Sequence, residues 1–150
     1  MSIRGDSAWL THWRTLNLKP SGVIQYEAAV RDGLQPSAGP DEAAKAKQML
    51  RSDEHELVFS LVSLWEIAIK IKTGKLNTIG SSVAYIRDEM ENYSMELLPI
   101  RYEHVLQLES LPTHHSDPFD RLLIAQAITE SLPILTGDRA FDHYAIKRVW

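Results

Sequence analysis

From about residue 56 to its last residue, the chain alternates short apolar runs with longer amphipathic stretches. Leu57-Val58-Phe59-Ser60 reads as a buried strand, and residues 63–72 as a helix that turns Leu64, Ile67, Ala68 and Ile71 inward and stops at Gly74. A second helix follows over 83–92 and a second strand over 95–100. Residues 102–111 form a helix with Val105, Leu108 and Leu111 inward. Residues 118–131 are helical, 132–136 form a third strand, and 147–150 form a last, edge strand. Strands of about five residues alternating with helices of about ten imply a mostly parallel sheet covered on both faces. The expected fold class is therefore α/β, and a chain of 150 residues suits a single domain, 1–150, around one core.

The first 55 residues carry weaker periodicity. Residues 6–18 hold Trp9, Leu10, Trp13 and Leu16 at near-helical spacing, before the breaker cluster Lys19-Pro20-Ser21-Gly22. Val23-Ile24-Gln25-Tyr26 is either a short strand or the start of a helix over 23–34. Residues 35–40 are a loop by composition, and 41–50 a helix with an acidic start.

Bulk properties exclude several classes. No apolar run approaches the roughly 18 residues of a membrane span, and the N-terminus lacks the apolar core of a signal peptide. With no cysteine, thiol nucleophiles and thiolate metal sites are excluded, and a cytoplasmic location is the expectation. A net charge of −4 argues against nucleic-acid binding through a broad positive field, yet is compatible with a nuclease whose own acids hold a cation.

Ligands of parallel α/β sheets bind beyond the carboxyl ends of the strands. Three acids fall there: Glu66 in the first turn after the strand 57–60, Asp120 in the first turn of the helix 118–131, and Asp138 just past the strand ending at Thr136. Each has an ordinary structural explanation. Ser63-Leu64-Trp65-Glu66 is a capping box, Asp117-Pro118-Phe119-Asp120 is a good helix start, and Asp138 sits in a turn after Gly137. Asp117 keeps its capping explanation. Three carboxylates converging on one edge would repel one another without a cation, and an all-oxygen set selects hard ions such as Mg²⁺ or Mn²⁺. Such an ion lowers the pKa of a water and neutralises charge on a phosphate, which suits phosphodiester hydrolysis. His114-His115 is expected to be a solvated loop or a substrate contact. Among Lys70, Lys72, Lys75, Arg121 and Arg139, most are expected on solvated faces, with one or two contacting RNA phosphates, and Trp65 in core or interface.

These segments carry a resemblance. Ser63-Leu64-Trp65-Glu66-Ile67-Ala68-Ile69-Lys70 with Gly74-Lys75-Leu76 resembles the second-acid segment of the PIN-domain ribonucleases. His115-Ser116-Asp117-Pro118-Phe119-Asp120-Arg121-Leu122-Leu123-Ile124-Ala125-Gln126-Ala127 resembles their third-acid helix. Leu135-Thr136-Gly137-Asp138-Arg139-Ala140-Phe141, with Tyr144 and Val149-Trp150, resembles their fourth-acid strand and tail. The nearest group is the VapC-type toxins of toxin–antitoxin modules, and the likeness covers residues 56–150. It implies a three-layer α/β/α fold with a mostly parallel central sheet of four to five strands. It also implies a Mg²⁺- or Mn²⁺-dependent endoribonuclease inhibited by an antitoxin and commonly dimeric. Glu66, Asp120 and Asp138 would be metal-binding acids, with Thr136 in support. The N-terminal third departs from the pattern, which opens with an apolar strand ending in the first acid. Asp6, followed by Ser7, is the favoured candidate by residue type; Glu27, after Val23-Ile24-Gln25-Tyr26, has the better spacing. The remaining alternative is that no first acid exists and the chain is an inert PIN-like module binding protein or RNA. A phosphatase on a similar sheet is a weaker alternative, since fold does not fix chemistry.

Overall fold

The computed structural model describes residues 17–18, 24–26, 48, 56–75, 83–136 and 138–149. In chain order its elements are β1 (Asn17–Leu18), β2 (Ile24–Tyr26), β3 (Leu57–Ser60), α1 (Leu61–Lys72), α2 (Val83–Asn92), β4 (Glu96–Leu98), α3 (Tyr102–Ser110), α4 (Pro118–Glu130), β5 (Ile134–Leu135) and a 3₁₀ turn, Arg139–His143. The architecture is the expected three-layer α/β/α arrangement. β2 lies parallel to β3, with Ile24 beside Leu57 and Gln25 beside Val58. It also lies parallel to β5, with Gln25 beside Ile134 and Tyr26 beside Leu135. β4 adds to the far side of β3, parallel, from Val58–Glu96 to Ser60–Leu98. The antiparallel member is β1, whose Asn17 faces Val58 and Ile134. Beyond β5 the expected edge segment is present as a bridge between Ile134 and Arg148, closed by Ile134 N–H to the Lys147 carbonyl and Val149 N–H to the Ile134 carbonyl.

Every residue of β3 is buried, as a strand covered on both faces requires. The chain passes from β3 into α1 without a loop. Ser60 is the N-cap and its hydroxyl accepts the Val62 N–H at 3.0 Å. α1 therefore starts two residues before the expected position, and Ser63 is not its cap. α1 ends in a paired turn: Gly74, at φ +70, donates to the Ile71 carbonyl and Lys75 to that of Lys70. Only glycine takes such a φ without a Cβ penalty, so this stop was readable in the sequence.

α4 is the central helix. Asp117 caps it by accepting from Phe119 N–H (2.9 Å) and Asp120 N–H (3.2 Å), with Pro118 in the first turn. Residues 122–127 are all buried, which is the mark of a helix enclosed by its neighbours. One side packs Leu122 and Leu123 against Val62 of α1; another packs Ile124 and Ala127 with Ile134, Leu111, Phe141 and Tyr144.

Several expectations need correction. Val105 is half exposed, and His104 takes the inward place on α3. The His104 ring accepts the Arg101 N–H through Nδ1 at 3.0 Å and meets Glu130 through Nε2 at 2.6 Å. Leu108 and Leu111 face the core as expected, and His104 joins them on that face in place of Val105. The expected helix over 6–18 cannot run to its end, because Asn17 and Leu18 are in a strand; its other residues lie outside the described ones. At 24–26 the strand alternative holds, since the backbone there finds ladder partners on both sides. Of the helix expected over 41–50, Gln48 is helical and the rest lies outside the described residues, as do Asp6 and Glu27. No helix among the described residues is long and apolar enough to cross a membrane.

Candidate metal centre

The polar groups that this core encloses collect at the carboxyl edge of the sheet. Glu66, His115, Asp120 and Thr136 are all buried, Asp120 to 1% exposure. α4 sets Asp120 in its first turn, where the helix dipole favours an anion. Asp138 caps the 3₁₀ turn: its Oδ1 accepts the Ala140 N–H at 2.9 Å, while its own N–H donates to Thr136 Oγ1 at 3.1 Å. His115 Nε2 stands 3.1 Å from Asp120 Oδ2 and 3.4 Å from Asp138 Oδ2. One donor atom from each of these three residues lies within 4.8 Å of the others, close enough to share one ion.

Glu66 approaches from α1. Because Ser60 and not Ser63 is the cap, Glu66 sits in the second turn, and the capping-box explanation for it does not apply. Its Oε1 pairs with Lys70 at 2.5 Å, and its Oε2 is buried without a hydrogen-bond partner among the described residues. Burial holds its pKa above the ordinary value of 4.5; the pairing with Lys70 opposes this, and the nearby Asp120 and Asp117 carboxylates add to the rise.

A raised folded-state pKa means that folding favours the protonated acid. In the metal-free protein this stabilisation is complete below pH 4.5 and is lost as pH rises through the folded-state value. Metal-free Glu66→Gln is therefore expected to melt above wild type near neutral pH, with the gap closing as pH falls toward 4.5. Thermal melts across that range in excess chelator check this, and a gap that widens on acidification would contradict it.

The donor set fits a hard divalent cation. It is anionic, oxygen-rich and partly sequestered, and beside it Glu66 Oε2 is buried without a hydrogen-bond partner among the described residues. Of the residues singled out in the sequence, Glu66, Asp120, Asp138 and Thr136 come to this edge, and Asp117 is the cap it was read as. His115 was missed: it is buried between the two aspartates rather than solvated. The readable signal was its place two residues before an N-cap, where a ring can reach back to the Asp117 N–H. Lys70 is committed to Glu66, and Arg121 to the carbonyls of Leu111, Pro112 and His115, which leaves Lys72, Lys75 and Arg139 as the exposed cations of the set. Trp65 is 53% exposed and meets Phe119 edge-on.

The PIN domain family profile matches residues 34–147, more than half of the chain; Asp6 and Glu27 precede the matched span. No curated protein and no solved structure matches the chain. With the parallel sheet, the helices on both faces and the acids gathered at the strand ends, the match shows that this chain belongs to the PIN-domain family, whose members are generally metal-dependent nucleases.

Proposed function

We propose that this protein is a Mg²⁺- or Mn²⁺-dependent endoribonuclease acting as the toxin of a toxin–antitoxin pair. What supports the nuclease reading is the cluster of His115, Asp120 and Asp138 donor atoms within 4.8 Å of one another, with Glu66 buried near Asp120 and its Oε2 without a hydrogen-bond partner among the described residues. The metal would supply charge neutralisation at the scissile phosphate and a more acidic water. The protein's part is positional: Asp120 and Asp138 are fixed by the helix start and the 3₁₀ turn, Thr136 braces the Asp138 backbone, and Lys70 holds Glu66. Exposed Arg139, next in sequence to Asp138, is the cation best placed to meet a backbone phosphate.

For the first acid, Asp6 is the reading by residue type and Glu27 the alternative by spacing, the latter next in sequence to β2. β2 runs parallel between β3 and β5, and Tyr26 pairs with Leu135, three residues before Asp138. Glu27 follows Tyr26 in the sequence.

The toxin assignment rests on the resemblance of the segments around Glu66, Asp120 and Asp138 to the VapC-type toxins, and implies an antitoxin partner, a homodimer and a cytoplasmic setting. Exposed Tyr102, Val105 and Leu106 on α3, with Trp65 and Ile69 on α1, offer the apolar surface that protein partners require.

The test is cleavage of RNA by the purified protein with Mn²⁺, in chelator, and with Asp138→Asn. Cleavage is expected with Mn²⁺ only, and to be lost in the variant. Equal cleavage in all three would overturn the assignment.

A further inference from the structure

Among the groups at this edge, His115 has no place in the all-carboxylate ligand set, although it sits between two of its members. The direction of its hydrogen bonds assigns it a role. Asp117 N–H donates to His115 Nδ1 at 3.2 Å. A ring nitrogen that accepts a hydrogen bond carries no proton, so in the neutral imidazole the proton belongs to Nε2. That N–H points at two carboxylate oxygens, Asp120 Oδ2 at 3.1 Å and Asp138 Oδ2 at 3.4 Å. A nitrogen that bears a proton has no lone pair for a metal.

We propose that His115 is a positioning residue of this centre and not one of its ligands: its Nε2–H clamps the Asp120 and Asp138 carboxylates in the orientation in which they receive the cation. The proposal rests on the metal-site reading above. It explains how two buried or half-buried acids from different elements stay together before an ion arrives. One shared N–H offsets part of their repulsion and fixes one oxygen of each, turning the carboxylate planes. Hydrogen-bonded ligands of this kind bind metal more tightly because less reorganisation remains to be done.

The ring is held from every side. The His115 backbone N–H donates to the Tyr144 hydroxyl at 2.7 Å, and that hydroxyl donates to the Pro112 carbonyl at 3.1 Å. Arg121 donates to the Pro112 and His115 carbonyls, which pins the loop between α3 and α4. Phe141 packs edge-on against the imidazole with centroids 5.9 Å apart. The other tautomer, which would offer a bare Nε2, would set an Nδ1 proton against the Asp117 N–H. The tautomer is thus tied to the start of α4, the same turn that carries Asp120.

Three measurements test this. In the metal-free protein, imidazole ¹⁵N spectra of His115 are expected to show the Nε2-protonated tautomer; an Nδ1-protonated ring overturns the proposal whatever the protein does with metal. In calorimetric titrations with Mn²⁺, His115→Ala is expected to weaken binding by about 10- to 100-fold, and His115→Gln, which keeps a side-chain N–H, to recover most of the loss. Pulsed EPR of the wild-type Mn²⁺ complex is expected to show no directly bound nitrogen. A nitrogen coupling that His115→Gln removes would make His115 a ligand and overturn the proposal, as would unchanged affinity in His115→Ala. Failure of the wild type itself to bind Mn²⁺ would overturn the metal-site reading, and this proposal with it; that result is distinct from binding that ignores His115.

Discussion

Asp120→Asn is expected to lower Mn²⁺-dependent RNA cleavage by about a thousandfold or more while leaving the protein folded. The side chain is 1% exposed, so the substitution changes charge with almost no change in shape. His115 can still donate to the amide oxygen, so the local hydrogen bonding at 3.1 Å has a substitute acceptor. What is lost, on the proposed function, is a negative ligand for the cation. Metal-assisted charge stabilisation supplies several kcal/mol, and each ~1.4 kcal/mol is a factor of ten in rate. Removal of one buried carboxylate from a repelling group also predicts a melting temperature no lower than wild type in the absence of metal. Single-turnover cleavage and thermal melts of the same preparation check both halves. Activity within tenfold of wild type would remove Asp120 from the centre, and a collapsed melting temperature would make its role structural.

Phe141→Ala is the substitution expected to cost most stability, about 3–5 kcal/mol. The ring is fully buried in the cluster with Leu111, Ile124, Ala127, Ile134 and Tyr144. It is also what the 3₁₀ turn buries, so its loss loosens the turn that Asp138 caps and the wall against which His115 rests. Against a typical total of 5–15 kcal/mol this is a large share. The urea midpoint is expected to fall by about 1 M or more, and Phe141→Leu by much less, because it leaves a smaller void. A loss below about 1 kcal/mol for Phe141→Ala would mean that the cavity closes and that the turn is held by its hydrogen bonds instead.

Legibility followed how local each determinant is. The cap and proline that start α4, the glycine that ends α1 and the buried run of β3 act through neighbours in sequence, and all three were readable there. One inward place of α3 was not, because a polar residue took it beside Leu108 and Leu111. His104 is buried through contacts with Arg101 and with Glu130 on another helix, and apolar periodicity carries no sign of such a partner. Likewise Ser60 rather than Ser63 caps α1. Ser60 Oγ donates to Gln126 on α4 at 2.5 Å and accepts the Val62 N–H, so a distant residue helps to select the cap.

For the centre around Glu66, Asp120 and Asp138, the sequence by itself determined the residue types, their order and the elements that carry them, because helix starts and strand ends are written in short-range patterns. Only the tertiary structure decided that β2 lies between β3 and β5, that Glu66 has no capping duty, and that His115 stands between two aspartates instead of in solvent. The physical reason is that these facts depend on which strand edges pair and which buried polar groups find one another. Those are contacts between residues distant in the chain, such as the 23 positions separating His115 from Asp138.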